Sequence, residues 1–268
     1  MNSMMLKALL WKEWRETRLK WLAFAVAFHL PLFMAGFIIS FRNSARFDLL
    51  ALSDAIAGQV LEVALVMQSG FLITAGLFLL SFFAVGSVGA ELDNQSIFFL
   101  FERPLKRWHI LLTKFVVGAV QATTCVGLSI LTTVAVVYGV MAAAASNVTL
   151  DGSWGAFVNV LANGLRGTAW TMIIALMVYS ATFLFSVLFE KWWIAVIGGA
   201  LSLVAMFYFF GGMLFEWVIS RATRSPDTDG VNLDFYSRLD PVPILIMLLV
   251  SAGFYLTSQY VFARKEMR

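Results

Sequence analysis

Two short segments gather the residues that could carry chemistry. One is Trp11-Lys12-Glu13-Trp14-Arg15, near the start of the chain; the other runs from Glu91 to Lys114 and reads ELDNQSIFFLFERPLKRWHILLTK. Neither is built to break a bond. No G-x-S-x-G or H-E-x-x-H pattern occurs anywhere, and His109, one of two histidines, belongs at a surface. The P-loop pattern G-x-x-x-x-G-K-[ST] is missing, down to the absence of any Gly-Lys dipeptide, so this sequence carries no recognisable ATP-hydrolysing loop of its own. The lone Cys125 excludes an intrachain disulfide and a cysteine zinc cluster. What the two segments offer is paired charge beside aromatic side chains, which is the chemistry of gripping a headgroup or a partner protein.

The elements that position them are read from composition. Of 268 residues, 60% are hydrophobic and 13% charged, against roughly 25% charged in an ordinary soluble domain. A bilayer, which solvates the outside of each helix, accommodates that balance. A spanning helix needs about 20 predominantly apolar residues. Six stretches free of Asp, Glu, Lys and Arg meet or approach that length: about 21–41, 63–90, 115–140, 167–189, 192–215 and 242–263. The expected fold is therefore an all-α membrane protein, one transmembrane domain over 1–268 with six transmembrane helices. Residues 1–20 would form an interfacial amphipathic helix, retained rather than cleaved, because the apolar stretch after it is as long as a full crossing.

Basic residues resist translocation. With both termini inside, thirteen Lys and Arg fall on the cytoplasmic side: Lys7, Lys12, Arg15, Arg18, Lys20, Arg103, Lys106, Arg107, Lys114, Lys191, Arg264, Lys265 and Arg268. Six fall outside: Arg42, Arg46, Arg166, Arg221, Arg224 and Arg238. The expectation is a multi-pass protein of the cell membrane, of bacterial inner-membrane type, with both ends cytoplasmic. Trp21, Trp108, Trp170, Trp192, Trp193 and Trp217 stand near the expected span ends, where an indole prefers the headgroup region. The stretches 142–166 and 216–240 would be outer connections, and Asn147-Val148-Thr149 in the first fits a common glycosylation tripeptide.

Within the first segment, Leu6, Leu10, Trp14, Thr17 and Trp21 make a helical stripe with Lys12, Arg15 and Arg18 turned away, which predicts a helix lying in the interface. Within the second, Phe98, Phe99, Leu100 and Phe101 are too few to span and too apolar to float in water. A short cytoplasmic helix between spans two and three would start after Ser96, an acceptable N-cap, and stop before Pro104. Arg107 and Lys114, seven residues apart, would share one side of the helix that follows.

The succession Glu91, Ser96, Pro104, Arg107 and Lys114 resembles the cytoplasmic signature of ABC type-2 exporter permeases, and the run from Trp11 to Arg15 is similar to that family's N-terminal helix. Gln95 stands where many members have glycine. The resemblance implies that Glu91, Ser96, Phe98, Phe99, Phe101, Pro104, Arg107 and Lys114 belong to a coupling helix that docks on a separate cytoplasmic ABC ATPase. It further implies a second permease subunit, as a homodimer or heterodimer. ATP and Mg would be bound by the ATPase, with no cofactor on this chain. A six-span scaffold or sensor anchoring a cytoplasmic complex fits composition and topology equally well. Ion-coupled transport is disfavoured, since the expected spans hold His29, Gln68, Gln121 and Gln259 and no charged relay.

Overall fold

The computed structural model describes residues 3–30, 76–93, 106–145, 153–189, 191–202 and 241–264, together with positions 32, 33, 68, 71, 204, 205 and 208. Among these residues the chain is all-helical. The helices are α1 (Ser3–Phe28), α2 (Leu77–Asp93), α3 (Arg107–Ala145), α4 (Ser153–Leu188), α5 (Trp192–Ser202) and α6 (Pro241–Arg264). Among the described residues, three stretches are long and apolar enough to cross a membrane: Arg107–Val136, Thr168–Leu188 and Ile244–Arg264. Parts of the expected spans 63–90 and 192–215, the end of 21–41, the short helix after Ser96 and the 216–240 connection lie outside the described residues.

Two boundaries, those of the first and fourth helices, differ from the sequence expectation. The first helix does not break near residue 20; α1 runs unbroken from Ser3 to Phe28. It ends where Pro31, which has no N–H, would leave the Ala27 carbonyl unpaired, and the last turn tightens through His29 N donating to Val26 O at 3.0 Å. The third helix begins at Arg107, so Arg107 and Lys114 lie on the helix that leads into the apolar stretch from 115, as expected. The fourth begins at Ser153, so half of the stretch read as an outer connection is helix. Its residues 153–166 hold no proline to break the helix, and Ala156, Leu161, Ala162 and Leu165 favour it against the poorer formers Gly155, Asn159, Asn163 and Gly164. At 39 and 36 residues, α3 and α4 are about 58 and 54 Å long at 1.5 Å per residue, well beyond a hydrocarbon core of about 30 Å.

Contacts fix the arrangement. α4 packs against α2, α3 and α6, while α1 lies along α3. Glu13 meets Lys114, Thr17 meets Gln121, Trp21 meets Thr124 and His29 meets Thr132, so α1 and α3 run parallel. At the other end of α1, Ser129 donates to the Phe28 carbonyl at 2.9 Å, and Gln68 donates to the same oxygen at 3.1 Å. Gln259 of α6 donates to the Trp108 carbonyl at 3.3 Å, and a Cβ on Gly89 of α2 would lie 3.6 Å from Ser186 and 3.8 Å from Trp192. The start of α3, the ends of α2, α4 and α6, and the start of α5 therefore share one end of the bundle with the first half of α1.

The core is aromatic. Tyr179 and Phe183 of α4 are fully buried against Phe115 of α3, and Phe24 of α1 meets Phe83 of α2 edge-on at 5.2 Å. Two expected anchors turn inward: Trp21 donates to Thr124 Oγ1 at 3.3 Å, and Trp170 is buried with Met177 and Met247. Trp192 and Trp193 stay exposed, and Trp217 lies outside the described residues. Small residues set the close approaches, as expected where helices assemble without a hydrophobic drive between them. A Cβ on Gly118 would fall 1.9 Å from the Tyr179 hydroxyl, and one on Gly199 would fall 2.6 Å from Thr182 Cγ2. Gly253 has nothing within 4 Å of that point.

Gly118→Ala is expected to destabilise the fold by about 1–3 kcal/mol through overpacking. Gly253→Ala, in open space, should be neutral or stabilising by up to about 1 kcal/mol. Thermal unfolding of the two purified variants in detergent checks the contrast; equal melting temperatures would contradict the packing of α3 on α4.

Candidate functional site

The two segments singled out by their residue types meet in space. Lys114 Nζ donates to both carboxylate oxygens of Glu13, at 2.9 and 3.0 Å, and to Glu91 Oε1 at 2.6 Å. Its side chain is 0% exposed, with Glu13 at 4% and Glu91 at 23%. One ammonium thus joins α1, the end of α2 and the first turns of α3. All three donors of the ammonium are used, which is what a buried lysine requires to stay charged.

Local sequence explains the placement. Leu9, Glu13, Thr17, Trp21, Phe24 and Phe28 recur every three or four residues and form the face of α1 turned to the bundle. The apolar stripe expected from sequence is split: Thr17 and Trp21 join this inner face, while Trp14 is 37% exposed. Lys12 pairs with Glu16 at 3.6 Å on the solvent side, an exposed i,i+4 pair that contributes little. Arg15 and Arg18 are exposed, as the sequence predicts. Above the cluster, Thr17 Oγ1 donates to the Glu13 carbonyl at 2.7 Å and accepts from Gln121 Nε2 at 2.8 Å.

Of the residues expected to couple to a partner, the structure brings together Glu91 and Lys114, and adds Glu13 from the N-terminal helix. Arg107 is exposed at the first position of α3, a helical tip, while Lys114 two turns later is buried on the same side. Ser96, Phe98, Phe99, Phe101 and Pro104 lie outside the described residues. Missed by sequence reasoning was Thr17 as a polar contact, for which the only signal was a hydroxyl on the Glu13 side of the helix.

Carboxylate oxygens of Glu13, Glu16 and Glu91 lie within 4.8 Å of one another. The cation among them is Lys114 itself, bonded to two of the three. Burial lifts the Glu13 carboxyl above its ordinary range; Lys114 pulls it down by charge and hydrogen bond, Glu91 adds to the lift and Lys12 opposes it.

No model of a known protein family and no curated protein matches the chain. The site is therefore read from its own geometry.

Lys114→Met strands two carboxylates beside an apolar side chain and should destabilise by about 3–5 kcal/mol, the usual cost of breaking a buried ion pair. Glu13→Gln leaves Lys114 paired with Glu91 and should cost only about 1 kcal/mol, the scale of one net hydrogen bond. Because the folded carboxyl of Glu13 titrates above the unfolded one, its stabilising contribution is complete below the ordinary carboxyl range and is lost as pH rises through the raised value. Unfolding measured across that window should show the loss in the unsubstituted protein and not in Glu13→Gln; parallel pH profiles would contradict the assignment.

Proposed function

We propose that the chain is the membrane-spanning permease subunit of an ATP-driven exporter of the ABC type-2 kind. In this reading it crosses the cell membrane six times with both termini cytoplasmic and pairs with a second permease subunit. Energy comes from a separate cytoplasmic nucleotide-binding subunit that holds ATP and Mg. The observation that carries the reading is the ion cluster: Glu91 and Lys114, the outermost residues of the signature, are bonded to each other and to Glu13 of the N-terminal motif.

The physics fits a coupling role. Residues 94–106 are bounded by α2 and α3, whose facing ends are tied by the Glu91–Lys114 bond. A displacement imposed on a segment with both ends tied passes into the helices that hold it. A loop with loose ends would absorb the same displacement in its own dihedrals. Lys7, Lys12, Arg15, Lys106, Arg107, Lys114, Lys191 and Arg264 belong to the same end of the bundle, in keeping with a cytoplasmic face. The aromatic run from Phe98 to Phe101 supplies side chains of the kind that anchor protein interfaces.

Phe98→Asp and Arg107→Glu should each abolish export and the stimulation of ATP hydrolysis by the permease while the protein still inserts and folds. The measurement is ATPase rate and substrate flux in proteoliposomes containing the co-purified nucleotide-binding subunit. Normal pumping by both variants, or failure of any nucleotide-binding subunit to co-purify with the unsubstituted protein, would refute the reading.

A further inference from the structure

The ion cluster is short of one positive charge. Two carboxylates, Glu13 and Glu91, share a single buried ammonium; among the described residues the other charges near Glu13 are Glu16, whose carboxylate lies within 4.8 Å and adds to the negative side, and two lysines of α1. On α1, Lys12 is paired with exposed Glu16, and Lys20 is exposed with its Nζ directed to the Gly86 carbonyl at 3.5 Å. From α2 comes Glu91; from α3 comes Lys114, with Gln121 as the neighbouring polar group. Two like charges on one buried partner are relieved most cheaply by a proton, which binds where desolvation is greatest. Glu13, at 4% exposure against 23% for Glu91, is that position.

A second observation points the same way. Beside the cluster is a recess of about 10 Å³, lined by Glu13, Thr17, Lys20, Phe83, Lys114 and Gln121, among others; this is about the room one water occupies. Gln121 is completely buried, and its Oε1 is an acceptor with no hydrogen-bond donor. The orientation of its amide is set by Thr17. The single Thr17 proton goes to the Glu13 carbonyl, so Thr17 Oγ1 must accept, and Gln121 must present its NH₂ to it. That leaves Oε1 unpaired in the wall of the recess, at a cost typical of a buried unmade hydrogen bond. With every charged group ionised, Glu13 is an acceptor too and offers nothing to the recess. A protonated Glu13 is a donor.

We propose that the cluster binds one exchangeable proton, carried by Glu13 and exchanged with the surroundings through the recess. Binding balances the charge around Lys114 and adds a hydroxyl donor on the Glu13 side of the recess, beside the exposed Lys20 ammonium that also lines it. It also leaves Lys114 held ionically by Glu91 alone; because the packed carboxyl of Glu13 holds its proton more tightly than a solvated one, protonation favours the seating of α1 on α3, and ionisation at higher pH loosens that seam while the tie between α2 and α3 persists. The joint is then a proton-sensitive one, independent of any partner subunit.

Infrared difference spectroscopy of the full chain in lipid nanodiscs, titrated with pH, tests this directly. A protonated buried carboxyl gives a C=O stretch that ionised carboxylates lack. The band should persist well above the pH at which a free glutamate ionises, vanish in Glu13→Gln, and remain in Glu16→Gln. Glu91→Gln removes the competing charge, so in that variant the band should survive and titrate at lower pH, by tenfold or more in proton concentration. Absence of such a band in the unsubstituted protein, its survival in Glu13→Gln, or an unmoved titration in Glu91→Gln would each overturn the proposal. Detecting the band requires no nucleotide-binding subunit, so its outcome is separate from that of the export assay.

Discussion

A primary ammonium withdrawn from water dictates much of this structure. Removing such an ion from solvent costs several kcal/mol even after relaxation, and only well-made bonds offset it. Lys114 meets that demand with three short contacts to two carboxylates, and each acceptor belongs to a different helix. α3 cannot bury this face unless α1 presents Glu13 and α2 ends with Glu91 in reach. The parallel course of α1 along α3, the inward turn of Thr17 and the convergence of helix ends at one end of the bundle are all consistent with satisfying that charge.

Away from the cluster, polar side chains are settled within their own helices. Thr123, Thr124, Thr132, Thr133, Ser180, Thr182, Ser251, Thr257 and Ser258 each donate to the carbonyl four residues earlier. Such bonds remove the hydroxyl as a cost in apolar surroundings without committing it to a neighbour. The exceptions cluster where α1 crosses α3: Thr17 with Gln121, Trp21 with Thr124, and His29, whose Nδ1 lies 2.6 Å from the Ala25 carbonyl and whose Nε2 lies 3.1 Å from Thr132. Polar contacts thus recur along the α1–α3 seam, with single ones elsewhere from Thr182 of α4 to Ser81 of α2 and from Gln259 of α6 to the Trp108 carbonyl, while α4 also meets its neighbours by close steric fit at Gly118, Gly198 and Gly199.

Helix class and the three long apolar helices were legible from residue type, because a run without charge has one physical outlet. Glu13, Glu91 and Lys114 were legible as members of motifs, yet not as one another's partners. Their separations along the chain, 23 and 101 residues, carry no periodic signal. The inner face of α1 was misjudged for a related reason. An apolar stripe ranks Trp14 above Glu13, but the cost of leaving Lys114 unpaired outweighs the gain from burying an indole that the headgroup region also accommodates. The early start of α4 escaped notice because the expected span was cut at Arg166, whereas a single charge ends an apolar run without ending a helix.

Where the cluster sits matters as much as what it holds together. Residues 94–106 leave α2 just after Glu91 and enter α3 one to two turns before Lys114, so both exits of this segment are pinned by the same nitrogen. A push on one exit is shared with the other, and with α1 through Glu13, before it travels up either helix. Rigid helices more than thirty residues long then carry that displacement the full depth of the bundle, since bending a hydrogen-bonded helix is harder than tilting it. Weakening one bond in the cluster therefore does not simply loosen the base; it changes which helix follows the push. With Glu13 ionised, the uncompensated buried carboxylate loosens the seam of α1 on α3 while Glu91 and Lys114 still hold α2 and α3 as a pair, a change of mechanical connectivity set by one proton at a point far from the opposite end of the bundle.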